Sequence, residues 1–279
     1  MTASTPPPEI RHRRSLTETL LGGHAWLVFI FFYAPIVVLI IFSFNDSKFV
    51  NEWTGFSFRW YVKLFQDDAI GLALRNSLIV ATVSTLISTI IGTLVALGME
   101  RFRFRGKTAL DSTLYLPIII PDIAMAVMLL LFFVQAGQLL GKIGLSFSLG
   151  LTTIILAHVA FNISFVAVLV RARLDGFDKS LEEAAGDLYA NEWQTFRYVT
   201  LPLIMPGIVG GALLAFTLSL DDFVVTFFTS GPGSTTLPLR IYSMVKTGVT
   251  PEINALSTLM LLASMVLVLA SLAIQNRNT

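Results

Sequence analysis

Three carboxylates stand in stretches of sequence that otherwise carry no charge. Asp122 lies within the apolar run from Ser112 to Ala136, and Asp221 and Asp222 lie within the run from Leu203 to Thr229. Neither run contains a lysine or arginine. A bare carboxylate near the centre of a bilayer costs about 2.5 to 3.5 kcal/mol on insertion scales, so something must compensate it. Protonation, a cation from a partner subunit, water in a cavity or a cationic substrate would each do so. The competing reading is that Asp221 and Asp222 mark a helix end that meets water, and that Asp122 caps a helix broken at Pro121. His158, in a further apolar run, is either part of the same pathway or a hydrogen-bonded packing residue.

Other chemistry is poorly supported. The 279 residues include no cysteine, which removes disulfides, thiolate metal sites and cysteine nucleophiles. His12, His24 and His158 are too far apart to form a local metal-ligand motif. Gly106-Lys107-Thr108 resembles the end of a phosphate loop, but Arg101 stands where that loop requires glycine. No Ser, His and Asp combination has a nucleophile's sequence context, so no catalytic residue is assigned. A net charge of +1 gives no concentrated basic face for nucleic acid.

The elements that hold these residues are membrane helices. Apolar residues make up 54% of the chain and charged residues only 13%, against about a quarter in soluble domains. Six runs are long enough to cross a hydrocarbon core: Ala25 to Phe44, Leu72 to Met99, Ser112 to Ala136, Leu149 to Val170, Leu203 to Thr229 and Ala255 to Ile274. They are continuously apolar and not alternating, which excludes a barrel and predicts an all-α, polytopic fold with six transmembrane helices. The expected organisation is a cytoplasmic N-terminal tail over 1–24, a transmembrane domain over 25–274 and a cytoplasmic end over 275–279. The first run follows Arg11, Arg13 and Arg14 and is too long for a signal peptide, so it reads as an uncleaved anchor. Together with Arg101, Arg103, Arg105 and Lys107 in one short loop, that cluster places both termini in the cytoplasm. Outside, Asn45 to Gly71 is rich in aromatic residues, including Phe49, Trp53, Phe56, Trp60 and Tyr61; it reads as an interfacial belt, a lip that meets a partner, or both. Gly207 and Gly211 form a small-xxx-small pair suited to close helix packing.

The longest cytoplasmic segment, 171–202, has its own pattern. Ser180 and Glu183 fit a capping box, after which Leu181, Ala184, Ala185 and Leu188 repeat at helical spacing. A second box, Asn191 with Gln194, opens another short helix beyond a bend near Tyr189, and Pro202 is expected to end it before Leu203 starts the fifth span. The polar face carries Glu182, Glu183, Asp187 and Glu192, which suits a protein partner better than anionic lipid.

Glu183-Ala184-Ala185, the bend at Tyr189, Val199 and Leu201-Pro202 resemble the cytoplasmic signature loop of permease subunits of binding-protein-dependent ABC importers. That pattern usually has glycine where Tyr189 stands. Leu218-Ser219-Leu220-Asp221-Asp222, Ser230-Gly231-Pro232-Gly233, Thr235-Thr236-Leu237-Pro238 and Pro251-Glu252-Ile253-Asn254 are similar to the spermidine/putrescine branch. The resemblance implies the type I ABC importer permease fold in a bacterial inner membrane, and a transport subunit that is not itself an enzyme. It implies that Glu182, Glu183, Ala184, Ala185, Asp187, Leu188, Tyr189, Leu201 and Pro202 couple the chain to an ATPase. It further implies a homologous permease partner, two ATPase subunits that hold ATP and Mg, and a substrate-binding protein outside, with no cofactor on this chain.

Overall fold

The computed structural model describes residues 16–49, 52–248 and 250–275. The expectations resting on Arg11, Arg13, Arg14 and Arg277, and on the proline-rich tail, lie outside the described residues. In chain order the helices are α1 (Leu16–Phe42), α2 (Arg59–Gln66), α3 (Asp68–Arg101), α4 (Lys107–Ile119), α5 (Asp122–Gly141), α6 (Leu151–Leu174), α7 (Ser180–Asp187), α8 (Glu192–Thr195), α9 (Leu201–Asp221), α10 (Val224–Thr229), α11 (Leu237–Thr247) and α12 (Pro251–Gln275). A π-helical turn, Phe196–Thr200, joins α8 to α9. Among the described residues, five helices are long and apolar enough to cross a membrane, and α12 supplies a further apolar stretch over Pro251–Val266.

Two of the expected spans are not single helices. The third run is divided: α4 stops at Ile119, Ile120 turns extended, and α5 starts again at Asp122. Pro121 explains the interruption, because its ring excludes the residue before it from helical backbone. The fifth run also divides, since α9 ends at Asp221 and the chain resumes in the short α10 at Val224. Hydropathy is blind to both interruptions because the residues around them remain apolar. The first helix begins at Leu16, ahead of the expected Ala25.

The chain forms two compact units, 67–247 and the combination of 1–66 with 248–279. In the larger unit α3, α6 and α9 pack on one another. Lipid tails are as apolar as leucine, so close packing of small residues must do what the hydrophobic effect does in water. Val166 of α6 sits where α3 and α9 both carry glycine. A β-carbon at Gly92 would lie 2.8 Å from the Val166 Cβ, and one at Gly211 would lie 3.2 Å from its Cα. Ala96, Met99, Val170, Ile204 and Ala215 extend this core. Ser84, Asn162 and Ser219 bolt the same three helices with polar contacts: Asn162 Nδ2 donates to Ser219 Oγ at 2.7 Å, and the two serine hydroxyls lie 3.0 Å apart. A second cluster, Ala126, Phe133, Ala157, Phe161 and Val225, joins α5, α6 and α10.

The loop between α10 and α11 is tied to α3. Asn76 Nδ2 donates to the carbonyls of Gly233 and Thr235, and the Leu237 amide donates to Ser77 Oγ at 2.8 Å. Gly231 allows close approach to Leu149, whose carbonyl oxygen would lie 2.0 Å from any added β-carbon. In the smaller unit Asn45 is fully buried and organises the segment after α1. Its amide reaches the Glu52 carbonyl, and its own carbonyl accepts the Trp60 indole at 2.7 Å. Trp60 is therefore buried and not part of an exposed belt, whereas Phe49, Trp53, Phe56 and Phe58 are exposed. Lys63 of α2 pairs with the nearly buried Glu252 of α12 at 2.6 Å.

The Val166 contact gives a direct test. Gly92→Ala is expected to destabilise the chain by about 1 to 3 kcal/mol through overpacking. Gly210→Ala, where nothing lies within 4 Å of the added carbon, is expected to be neutral. Thermal unfolding of the detergent-solubilised protein measures both; equal melting temperatures for the two variants would remove Val166 as the packing pivot.

Candidate functional site

The two helix breaks share one cavity. About 340 Å³ in volume, it is lined by Asp122, Asp221 and Asp222 together with Pro117, Phe161, Phe165 and Phe223, among others, and by no lysine or arginine. Asp122 is the first residue of α5, behind the extended Pro121. Its carboxylate makes no capping bond, but it stands at the positive end of the α5 dipole, which favours a negative charge. Asp221 closes α9, at the negative end of that helix, where the last carbonyls lack intrahelical donors. Both carboxylates are exposed in the chain by itself. Acidic groups, a helix C-terminus and aromatic faces all attract a cation.

Asp222 has a different environment. It is the residue at the break, with extended backbone, and its side chain caps α10. Oδ1 accepts the Val225 amide at 3.2 Å; Oδ2 accepts the Thr226 amide at 2.8 Å and the Thr226 hydroxyl at 2.9 Å. His158 Nε2 approaches the same Oδ2 at 3.3 Å and Thr226 Oγ1 at 3.1 Å. His158 itself is fully buried in α6 against Phe161 and does not line the cavity. The geometry thus brings together the four residues singled out in sequence but separates them by environment: Asp122 and Asp221 open to the cavity, Asp222 largely engaged, His158 behind it. Thr226 was not legible as a partner. Its one signal is an aspartate followed by a short β-branched run, the pattern of a helix start.

Segment 171–202 forms the two expected short helices, with three corrections. Ser180 is not a helix cap: it is the first helical residue, Lys179 before it has helical backbone, and the Ser180 amide donates to Asp178 Oδ1 at 2.9 Å. These bonds from the Ser180 backbone and hydroxyl hold the Asp178 carboxyl below its ordinary range. Pro202 does not end a helix either. Backbone continues helical from Glu192 to Asp221, because the π-turn passes the Leu201 amide to the Phe196 carbonyl and opens space for the proline ring ahead of it. Finally, Glu182 does not belong to a free acidic face, since it pairs with Arg101 at the end of α3 and with the Thr200 hydroxyl. Glu183, Ala184, Asp187, Leu188 and Tyr189 are exposed, Ala185 and Leu201 are partly covered, and Pro202 is exposed on α9.

The Asn191–Gln194 capping box is present, with both bonds at 2.9 Å. Just before it Tyr189 has φ of +64°, the one non-glycine residue with positive φ among those described. That backbone region costs an L-residue roughly 1 to 2 kcal/mol. The bend normally served by glycine is therefore retained by tyrosine, and the Tyr189 ring is almost completely exposed.

Comparison with known proteins agrees with this architecture. Residues 88–278 match the family model described as binding-protein-dependent transport system inner membrane component. The spermidine/putrescine transport system permease protein PotC of Escherichia coli K12 is 44% identical over 260 residues, covering 93% of this chain and 95% of that protein. The putrescine transport system permease protein PotI of the same strain is 46% identical over 255 residues, covering 91% and 88%. In three dimensions the chain is similar to a bacterial ABC transporter involved in the import of the acidic polysaccharide alginate, with a TM-score of 0.75, 22% identity and coverage of 95% and 96%. The chain belongs to the family of inner membrane components of binding-protein-dependent transport systems.

Proposed function

We propose that this chain is a permease subunit of an ATP-driven importer that carries polyamines inward. The observation that carries the reading is the cavity between the two helix breaks, where three aspartates and several phenylalanines meet without a basic residue. A chain of methylenes with ammonium groups matches such a lining in both charge and apolar character. The names of PotC and PotI, which specify spermidine and putrescine, support the same class of substrate. The carboxylates offset the desolvation of passing ammonium groups, while the exposed setting of Asp122 and Asp221 keeps binding weak enough for release.

In this reading both termini are cytoplasmic, and a homologous permease subunit completes the pathway. A substrate-binding protein delivers from outside, and two ATPase subunits bind ATP and Mg below. The exposed side of α7, with Glu183, Ala184, Asp187, Leu188 and Tyr189, meets an ATPase subunit. Glu182, Ala185, Leu201 and Pro202 join that side to α3 and α9. ATP closes the ATPase pair, α7 and α8 move with it, and the spans exchange inward for outward access.

Two measurements test the proposal. Asp221→Asn and Asp122→Asn each remove charge while keeping size, and each is expected to lower uptake of radiolabelled putrescine and spermidine about tenfold per assembled transporter, equivalent to about 1.4 kcal/mol. Parental uptake of both amines in both variants would exclude these carboxylates from the pathway. At the cytoplasmic bend, Tyr189→Gly is expected to keep uptake within about twofold, because glycine adopts the same backbone without strain. Tyr189→Pro, locked at negative φ, is expected to leave ATP hydrolysis running while uptake falls at least tenfold; normal uptake with proline would show that the bend plays no part in coupling.

A further inference from the structure

Asp222 is the only one of the three cavity aspartates whose carboxylate is held on several sides, and the side chain that completes the hold reaches it from another helix. Thr226 Oγ1 gives its single proton to Asp222 Oδ2, so towards His158 it can only accept. His158 Nε2 is then the donor, shared between Thr226 Oγ1 at 3.1 Å and Asp222 Oδ2 at 3.3 Å. The other ring nitrogen, Nδ1, is buried with no partner among the described residues, so the imidazole is engaged on this one side. Two hydrogen bonds and the His158 Nε2 contact therefore converge on Oδ2, whereas Oδ1 accepts a single bond from the Val225 amide. Oδ1 is the oxygen with capacity left for a cation.

We propose that His158 is a positioning residue: without touching the substrate, it fixes the Asp222 carboxylate across the break between α9 and α10 so that Oδ1 serves the passing ammonium. The inference rests on the pathway reading above. Its geometry accounts for two observations at once, a fully buried histidine that does not line this cavity and an aspartate that both caps a helix and faces it. The α6 helix thereby controls how the acid at the α9–α10 break is presented. Loss of the imidazole frees the carboxylate to rotate about its cap and shifts the charge relative to Asp122 and Asp221, which a substrate with more ammonium groups senses most.

The test uses the complete transporter in its own membrane, with uptake of labelled putrescine and spermidine normalised to assembled permease. His158→Gln retains an N–H donor of similar reach and is expected to stay within twofold of the parent. His158→Leu removes the donor and is expected to lower uptake about fivefold and to change the spermidine-to-putrescine ratio at least twofold. Combined with Asp222→Asn, His158→Leu is expected to add no further loss, because both changes disable the same carboxylate. His158→Leu that reduces only the amount of permease, with unchanged uptake per transporter and an unchanged ratio, would overturn the proposal and leave a packing residue. Glutamine as damaging as leucine, or losses that multiply in the double variant, would overturn it as well. Failure of the pathway reading is separately visible, as parental uptake by Asp122→Asn and Asp221→Asn.

Discussion

A helix that stops inside a membrane leaves peptide groups without partners, and hydrocarbon offers none. This constraint governs the architecture around the cavity. The chain interrupts α4–α5 at Pro121 and α9–α10 at Asp222, and both interruptions open on the same space. Each is managed by a different device. At the first, proline itself supplies the carbonyl that starts the next helix, accepting the Ala124 amide at 2.9 Å. At the second, a side chain does so, and Thr226 and His158 hold it in place. Because peptide ends and carboxylates gather where two helices restart, polarity is confined to one location. Elsewhere the contacts among α3, α6 and α9 are made mostly by small residues, with Ser84, Asn162 and Ser219 bonded to one another.

Segment 171–202 follows a related logic outside the long spans. Its helices are too short to be stable by propensity alone. They are held by local caps at Asp178 and Asn191, and by the bridge from Glu182 to Arg101 and Thr200, which fastens α7 to the ends of two longer helices. A strained tyrosine at the bend persists because the structure on both sides fixes it. The segment is thus attached rigidly on one side and presents an exposed apolar edge at Leu188 and Tyr189 on the other.

Local patterns were the legible part of the sequence. The Asn191–Gln194 box depends on three consecutive peptide units and appears as expected, as does the bend at Tyr189. The long apolar stretches and the aspartates within them were visible too. The failures arose where the deciding contact is distant or where two local signals compete. Ser180 looked like a cap, but Asp178, two residues earlier, already holds its amide. Glu182 looked like part of an outward acidic face, yet its partner Arg101 is far away in sequence. Pro202 reads as a terminator unless the preceding turn widens to a π-turn, and no residue pattern announces that. His158 and Asp222 were each conspicuous, while the bond between them required α6 and α10 to pack.

Continuity from Glu192 to Asp221 has a mechanical consequence. Thirty helical residues make a rod of about 45 Å at 1.5 Å per residue. One end lies next to the exposed edge at Leu188 and Tyr189, and the other is a carboxylate in the cavity wall. Tilting such a lever by about five degrees around its Glu192 end carries the far carboxylate about 4 Å, more than the length of a hydrogen bond. A small change of angle is thus enough to make or break a contact at the cavity wall.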